Sequence, residues 1–205
     1  YPLVDDDWRA DPTLVERVRA QVERTEGAWW SIRLGGQAVL GGTDEALSQL
    51  TEALPPIERG SHTFPLRLPL HSAFHTPLME PARLRAATEF DDLAWRAPRW
   101  PLIDGTGYTW RPLHADTKRL RDWTLGDQVT RTFDLTASIR TGLLEYAPDV
   151  VILPGPGSSL GGAIAQIMIE IGWKGIHDRQ TFTDRQGDDP VLLAMTWPNQ
   201  RALVT

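Results

Sequence analysis

The chain has 205 residues, 41% of them hydrophobic and 23% charged, with a formal net charge of -6 at pH 7. This composition excludes a wholly disordered chain, and the acidic balance argues against a general nucleic-acid or anionic-membrane surface, which needs a basic face. The absence of cysteine excludes disulfides, thiolate metal sites and a thiol nucleophile, and no apolar run reaches the roughly 18 residues of a membrane span. We expect a cytoplasmic protein.

The first seventy residues alternate between strand and helix patterns. Asp11 before Pro12 is a helix start, and Thr43 caps a second helix. The predicted strands and helices follow in the order strand, helix, strand, strand, helix, strand at residues 1–4, 11–25, 28–34, 37–40, 43–54 and 63–70. This βαββαβ order predicts a ferredoxin-like subdomain over residues 1–70.

The remaining residues predict an α/β arrangement with a parallel sheet. Helices are expected at residues 78–90, 127–146 and 160–171, and strands at residues 101–105, 150–153 and 191–197. The strand at 150–153 is an unbroken apolar run, which is typical of a parallel sheet buried on both faces. About three strands leave the edges of such a sheet uncovered, so this part of the chain looks incomplete.

His75 is the first candidate functional residue. It follows a predicted strand and precedes a predicted helix, the usual position of an exposed functional imidazole on an α/β scaffold. An imidazole changes charge near neutral pH, which suits a general base. The alternative, which the pattern alone favours, is a histidine that caps the helix or fills the core.

Ser159 is the second candidate, within Gly157-Ser158-Ser159-Leu160-Gly161. The segment satisfies G-x-S-x-G between an apolar strand and a helix, as a nucleophile elbow requires, and a Ser159–His75 pair would make a hydrolase. A tight strand-to-helix turn, with glycine at positive φ and serine as the helix cap, is the simpler interpretation. A phosphate-binding turn at the helix N-terminus is a third.

Carboxylates offer no metal site by pattern. Aspartate runs at residues 5–7, 91–92 and 188–189 lie next to polar or proline-rich turns, and none stands at helical spacing with a histidine. Solvated turns explain them.

Three segments together resemble malonyl-CoA:acyl carrier protein transacylases. The run LPLHSAFHTPLMEPA at residues 68–82 is similar to the histidine segment of that family. The run SIRLGGQAVLGG at residues 31–42 resembles its strand pair ending in a glutamine and a small-residue turn, and LPGPGSSL at residues 153–160 resembles its Gly-Pro-Gly turn. The segments occur in family order with comparable spacing and cover most of the chain.

The resemblance implies a ferredoxin-like subdomain at residues 1–70 and the C-terminal part of an α/β-hydrolase-like acyltransferase domain at residues 71–205. The implied reaction moves a malonyl group from coenzyme A to the phosphopantetheine thiol of an acyl carrier protein, through an acyl-serine, in fatty acid or polyketide synthesis. His75 matches the family's histidine, which takes the proton of the serine. No metal or redox cofactor is implied.

Phe74 matches a specificity position in the family. Within Ser-Ala-Phe-His it resembles the form found in malonyl-selective members. A bulky ring there would crowd an α-methyl group, so we expect malonyl to be preferred over methylmalonyl by roughly 1–3 kcal/mol.

The chain also departs from the family pattern. The family places its nucleophile elbow, oxyanion glutamine and carboxylate-binding arginine before the ferredoxin-like subdomain, and the chain has no counterpart of them. We expect these residues to be the C-terminal part of a longer transacylase, whose N-terminal segment is cleaved off, carried on another chain or not included. Ser31 and Arg33 replace the family's paired asparagines, and the carbonyl that orients the histidine is expected near Thr124.

The expected partners are malonyl-CoA and an acyl carrier protein. Because the carrier is expected to be acidic, an acidic enzyme needs a local basic patch, for which the candidates are Arg83, Arg85, Arg96 and Arg99, or Arg119 and Arg121. A solvated arginine face is the alternative.

Two other functions remain open on the sequence. One is a serine hydrolase that uses Ser159 and His75. The other is a non-catalytic module that binds an acyl carrier protein, or an anion at residues 155–161.

Overall fold

The computed structural model describes residues 1–69 and 71–204. The helices are α1 (Pro12–Arg24), α2 (Asp44–Ala53), α3 (Glu80–Glu89), α4 (Thr117–Asp122), α5 (Gln128–Thr130), α6 (Leu135–Tyr146), α7 (Leu160–Glu170), α8 (Arg179–Asp188) and α9 (Pro198–Arg201). The strands are β1 (Ala28–Leu34), β2 (Gln37–Gly42), β3 (Ile57–Arg59), β4 (His62–Phe64), β5 (Leu102–Ile103), β6 (Thr109–Trp110), β7 (Phe133–Asp134), β8 (Val151–Leu153) and β9 (Leu192–Ala194). The fold is mixed α/β, as the sequence predicts.

The N-terminal elements surround a small sheet of order β2-β1-β7. β1 is antiparallel to β2 and parallel to β7. The predicted first strand is reduced to a short bridge on the outer edge of β2, where Leu3 N donates to Gly36 O and Ala38 N donates to Tyr1 O, each at 2.8 Å. Helices α1 and α2 cover the sheet with one apolar cluster that includes Leu3, Val18, Val22, Ala28, Ala38, Ala46, Leu50 and Leu54.

The strand predicted at residues 63–70 is wrong after Phe64, where β4 ends. The chain instead forms a separate hairpin of β3 and β4, which turns at Gly60 with φ of 58°. Pro65 and Pro69 lack the backbone N–H groups that a longer strand would need for its ladder. Leu70 lies outside the described residues.

The long helix predicted at residues 127–146 is also wrong, because the chain enters the sheet in the middle of it. The backbone makes a π-helical turn at Trp123–Asp127 and the short α5, and then pairs Phe133 with Ile32 on β1. Asp134 next begins α6 by accepting a hydrogen bond from Ala137 N at 2.8 Å. Hydrophobic spacing cannot reveal this interruption, because the pairing partner lies about a hundred residues away.

The C-terminal elements form a second apolar cluster around α7. It includes Leu143, Ile164, Met168, Ile169, Trp173, Ile176, Val191 and Leu192. The predicted strands at 150–153 and 191–197 are present as β8 and β9, which pair in parallel. A buried hydrogen bond of 3.0 Å from Gly36 N to Gln166 Oε1 connects the turn between β1 and β2 to α7. The predicted division into subdomains at residue 70 stays a prediction.

The two edges of the β8–β9 sheet differ. Gln186 acts as a substitute strand on the outer edge of β9, because its Oε1 accepts from Leu192 N at 3.0 Å and its Nε2 donates to Leu192 O at 2.8 Å. Gln200 extends this cover by accepting from Ala194 N at 2.7 Å. On the opposite edge of the sheet, no described strand other than β9 pairs with β8, and Ile152 is 44% exposed. Within the described residues, the sheet is therefore closed at β9 and open at β8.

Nothing in the described part of the chain has the helical length and apolar character needed to cross a bilayer.

The fold places Met168 at the centre of its second core. Its side chain is fully buried. Met168→Ala should therefore lower the free energy of unfolding by about 2–5 kcal/mol through lost burial and a residual cavity. Urea denaturation followed by circular dichroism measures this. Leu160→Ala, at the exposed start of the same helix, is the control, and equal losses in both variants would contradict this core assignment.

Candidate functional site

His75 lies in a tight turn between β4 and α3. Its backbone has φ of 58°, a left-handed conformation that costs a non-glycine residue roughly 1–2 kcal/mol. Its Nδ1 lies 2.5 Å from the backbone oxygen of Gln128, and its ring packs against Phe133 with the ring centroids 5.3 Å apart. The half-buried imidazole thus contacts the start of α5, through Gln128, and the start of β7, through Phe133.

The acceptor on Nδ1 fixes which nitrogen of His75 is available. A backbone carbonyl can only accept a hydrogen bond, so Nδ1 of the neutral ring carries the proton and Nε2 carries the lone pair. Within the described residues, no hydrogen bond is made to Nε2. His75 therefore presents a free Nε2 lone pair, which is what a general base requires.

The turn that carries His75 is held by two buried hydroxyl groups. Ser31 Oγ, from β1, donates to Phe74 O at 2.7 Å. Thr76, which is fully buried, donates from Oγ1 to Ala73 O at 2.6 Å. Gly41 on β2 permits this close approach, because a Cβ at that position would lie 3.0 Å from Thr76 Cγ2. The alternative of a core histidine does not apply; the buried residue of the turn is Thr76.

The carbonyl that holds the histidine belongs to Gln128, which corrects the position expected near Thr124. Thr124 Oγ1 bonds within its own helical segment, to Leu120 O at 2.7 Å. Gln128 follows directly after the π-helical turn at Trp123–Asp127.

Phe74 is next to His75 and is 48% exposed. A large apolar side chain that is half open to solvent beside the imidazole is suited to form one wall of a substrate pocket.

Ser159 is not paired with His75. It is exposed and has ordinary right-handed helical angles, φ of −60° and ψ of −27°, and its side chain makes no helix-capping hydrogen bond. Gly155 and Gly157 have φ of 101° and 77°, as the tight-turn interpretation predicts, whereas the predicted serine cap is absent. The strained elbow expected of a nucleophile is not formed at this position.

Arg33 lines a cleft that does not include His75. Arg33 lines a cleft of about 590 Å³, where its guanidinium lies 5.2 Å from the Trp30 ring centroid and 3.7 Å from an Asp134 oxygen. A second cleft of about 490 Å³ is bordered by Gln128 and Phe133, the two residues that contact the His75 ring. Arg33 therefore contributes to a different cavity from the one next to the histidine.

The arginines proposed for a basic patch are partly neutralised. Arg83 is bonded to Glu80 at 2.5 and 2.7 Å, and this hydrogen bond is the main cause of the lowered pKa of Glu80. Arg121 pairs with Asp91 at 2.9 Å. Arg99 lies against the Trp100 ring, 5.5 Å from its centroid. In the described part of the chain, Arg85, Arg96 and Arg119 make no ion pair, so they retain charge for a partner.

Among the described residues, no group of three histidine, aspartate or glutamate side chains could hold a metal ion.

Solved structures show where this fold occurs. The malonyl-CoA:acyl carrier protein transacylase of Xanthomonas oryzae pv. oryzae has a TM-score of 0.67 at 17% identity, over 98% of this chain and 55% of that one. An acyl carrier protein S-malonyltransferase from Vibrio cholerae has a TM-score of 0.66 at 19% identity, over 95% and 55%. The acyltransferase domain from the second module of the salinomycin polyketide synthase has a TM-score of 0.61 at 21% identity, over 90% and 38%.

These comparisons define the class of fold as that of acyltransferases. More narrowly, the chain has the fold of malonyl-CoA:acyl carrier protein transacylases, and it spans about 55% of the length of the two enzymes compared. No family model matches the sequence, and no curated protein matches it.

His75 Nδ1 contacts a main-chain atom of Gln128, so the contact should not depend on the Gln128 side chain. Gln128→Ala keeps the carbonyl and removes only the side chain. We expect the ¹⁵N chemical shifts of the His75 ring to keep the pattern of a neutral imidazole protonated on Nδ1. A change to protonation on Nε2 would assign the contact to the glutamine side chain instead.

Proposed function

We propose that this chain is the histidine-bearing part of an acyl carrier protein S-malonyltransferase. The observation that carries the proposal is the Nδ1 contact of His75 with the Gln128 carbonyl, which leaves Nε2 free as a base on a transacylase fold. The transfer of a malonyl group from coenzyme A to a carrier protein, in fatty acid or polyketide synthesis, needs such a base. No metal or redox cofactor takes part in the proposed reaction.

In the proposed first half-reaction, Nε2 of His75 removes the proton from a serine hydroxyl. The serine oxygen forms a bond to the malonyl thioester carbon, the carbon–sulfur bond breaks, and the imidazolium returns the proton to the departing coenzyme A thiolate. In the second half-reaction His75 removes the proton from the phosphopantetheine thiol of the carrier, and the sulfur forms a bond to the acyl carbon. The bond between that carbon and the serine oxygen breaks, and the imidazolium returns the proton to the serine oxygen, so the enzyme is regenerated.

The serine is proposed to come from a segment or companion chain outside these 205 residues. Two observations support this. Ser159 does not bond to His75 and does not form an elbow. In addition, among the described residues the β8–β9 sheet has an unpaired edge at Ile152, which is available for pairing with a further strand. The same segment would carry the oxyanion donors and the arginine that binds the malonyl carboxylate.

The acyl carrier protein is proposed as the second partner. Arg85, Arg96 and Arg119, which make no ion pair with any described residue, supply positive charge that suits an acidic carrier.

Intact mass of the native protein, measured before and after brief exposure to malonyl-CoA, tests the proposed reaction. We expect a malonyl adduct on a serine outside these 205 residues. His75→Ala should slow its formation by about 10²–10⁴-fold, because the general base is lost. Peptide mapping locates the adduct.

Ser159→Ala is the matched control and should leave the rate of adduct formation unchanged. An adduct mapped to Ser159 would establish a different enzyme, the serine hydrolase. Failure to form any adduct would contradict transacylase activity of the native protein.

The position of Phe74 generates a prediction on substrate choice. Phe74→Ser removes the ring that would crowd an α-methyl group beside His75. The ratio of kcat/KM for methylmalonyl-CoA to that for malonyl-CoA should therefore rise by about 10-fold or more. Competition between the two thioesters, with products separated by mass, measures the ratio. An unchanged ratio would remove Phe74 from the acyl pocket.

A further inference from the structure

β1 is irregular at the residue that reaches the histidine turn. Its register against β2 shifts between Trp30 and Ile32, so Ser31 is an extra residue without a partner and forms a β-bulge. Bulges redirect the side chain of the extra residue and are common beside active sites. The redirected side chain is only 4% exposed, and its hydroxyl donates to Phe74 O at 2.7 Å.

This hydrogen bond holds the peptide group immediately before His75. The Phe74 carbonyl belongs to the rigid peptide plane that defines φ of His75, so the orientation of that plane sets the direction of the His75 side chain. At the observed φ of 58°, Nδ1 lies 2.5 Å from Gln128 O. Relaxation to the broadly allowed negative φ would rotate the ring away from that carbonyl.

The bond made by Thr76 does not have the same effect. It runs from Thr76 Oγ1 to Ala73 O, three residues earlier, and therefore holds the turn together without fixing it to the sheet. The Ser31 bond joins residues 43 positions apart and connects the turn to β1.

We propose that Ser31 is a positioning residue for His75. The bulge delivers its hydroxyl to the Phe74 carbonyl, the held peptide keeps His75 in the left-handed region, and the ring then stays bonded to Gln128 through Nδ1 with its lone pair on Nε2. The importance of that lone pair rests on the proposed function, whereas the geometry concerns this chain alone.

Ser31→Thr and Ser31→Val test the proposal as a matched pair. Both variants add the same bulk at the buried site, and only threonine keeps the hydroxyl. The readout is the pair of ¹⁵N chemical shifts of the His75 ring in the 205-residue chain, at a pH where the ring is neutral. We expect wild type and Ser31→Thr to show protonation on Nδ1. In Ser31→Val the ratio of the Nδ1–H to the Nε2–H form should fall about fivefold, the change that one hydrogen bond gives.

Ser138→Ala controls for general loosening of the fold. Ser138 is also a buried serine, 8% exposed, and its hydroxyl also donates to a backbone carbonyl, that of Asp104 at 2.5 Å. This variant should leave the His75 ratio unchanged. The proposal is overturned if Ser31→Val matches Ser31→Thr, or if Ser138→Ala shifts the ratio as much as Ser31→Val does. Ser31→Ala, which adds no bulk, replaces the valine variant if that variant does not fold.

The ring measurement and the malonyl-adduct measurement can fail separately. A lowered ratio in Ser31→Val without any malonyl adduct on the native protein leaves the positioning role and removes the transferase. An adduct with an unchanged ratio leaves the transferase and removes the role of Ser31.

Discussion

The hydrogen bond between His75 Nδ1 and the Gln128 carbonyl determines which nitrogen of the His75 ring carries the free lone pair. It joins segments 53 residues apart, and it decides the tautomer of the ring because a carbonyl cannot donate. The left-handed backbone of His75 is unfavourable by itself, so the turn must be held from outside. β1 supplies that hold through Ser31, and Gly41 on β2 leaves the room that Thr76 needs. The small N-terminal sheet thus serves as the support of the histidine.

The C-terminal β8–β9 sheet has a different physical constraint, because the backbone hydrogen-bonding groups at its two edges need partners. Unpaired strand edges invite pairing with another chain, and native proteins cover them. The side-chain amides of Gln186 and Gln200 cover the outer edge of β9, because they form hydrogen bonds with main-chain groups that would otherwise pair with a neighbouring strand. β8 has no such cover among the described residues. This asymmetry leaves one edge of the described sheet, at Ile152, available for pairing with a further strand.

Several features could be predicted from local sequence. The helix start at Asp11 and Pro12 and the cap at Thr43 are present as predicted, because capping involves only neighbouring residues. The helix expected over 127–146 was wrong, because parallel pairing of Phe133 with Ile32 outweighs the helical preference of that stretch. The histidine's acceptor is the carbonyl of Gln128, not the one expected near Thr124. A main-chain carbonyl leaves no residue-type signal, so spacing alone could not place it.

The sequence by itself determined the α/β class, the hairpin of β1 and β2, and the candidacy of His75 and Phe74 through a motif specific to one family. Only the tertiary structure decided that His75 is free at Nε2, that Ser159 is an exposed helix start, and that Ser31 reaches the histidine turn through a bulge. The physical reason is the distance along the sequence between the residues that interact. Caps, turns and hydrophobic periodicity are set by residues close in the chain, whereas the tautomer and orientation of a side chain are set by atoms brought to it from distant segments.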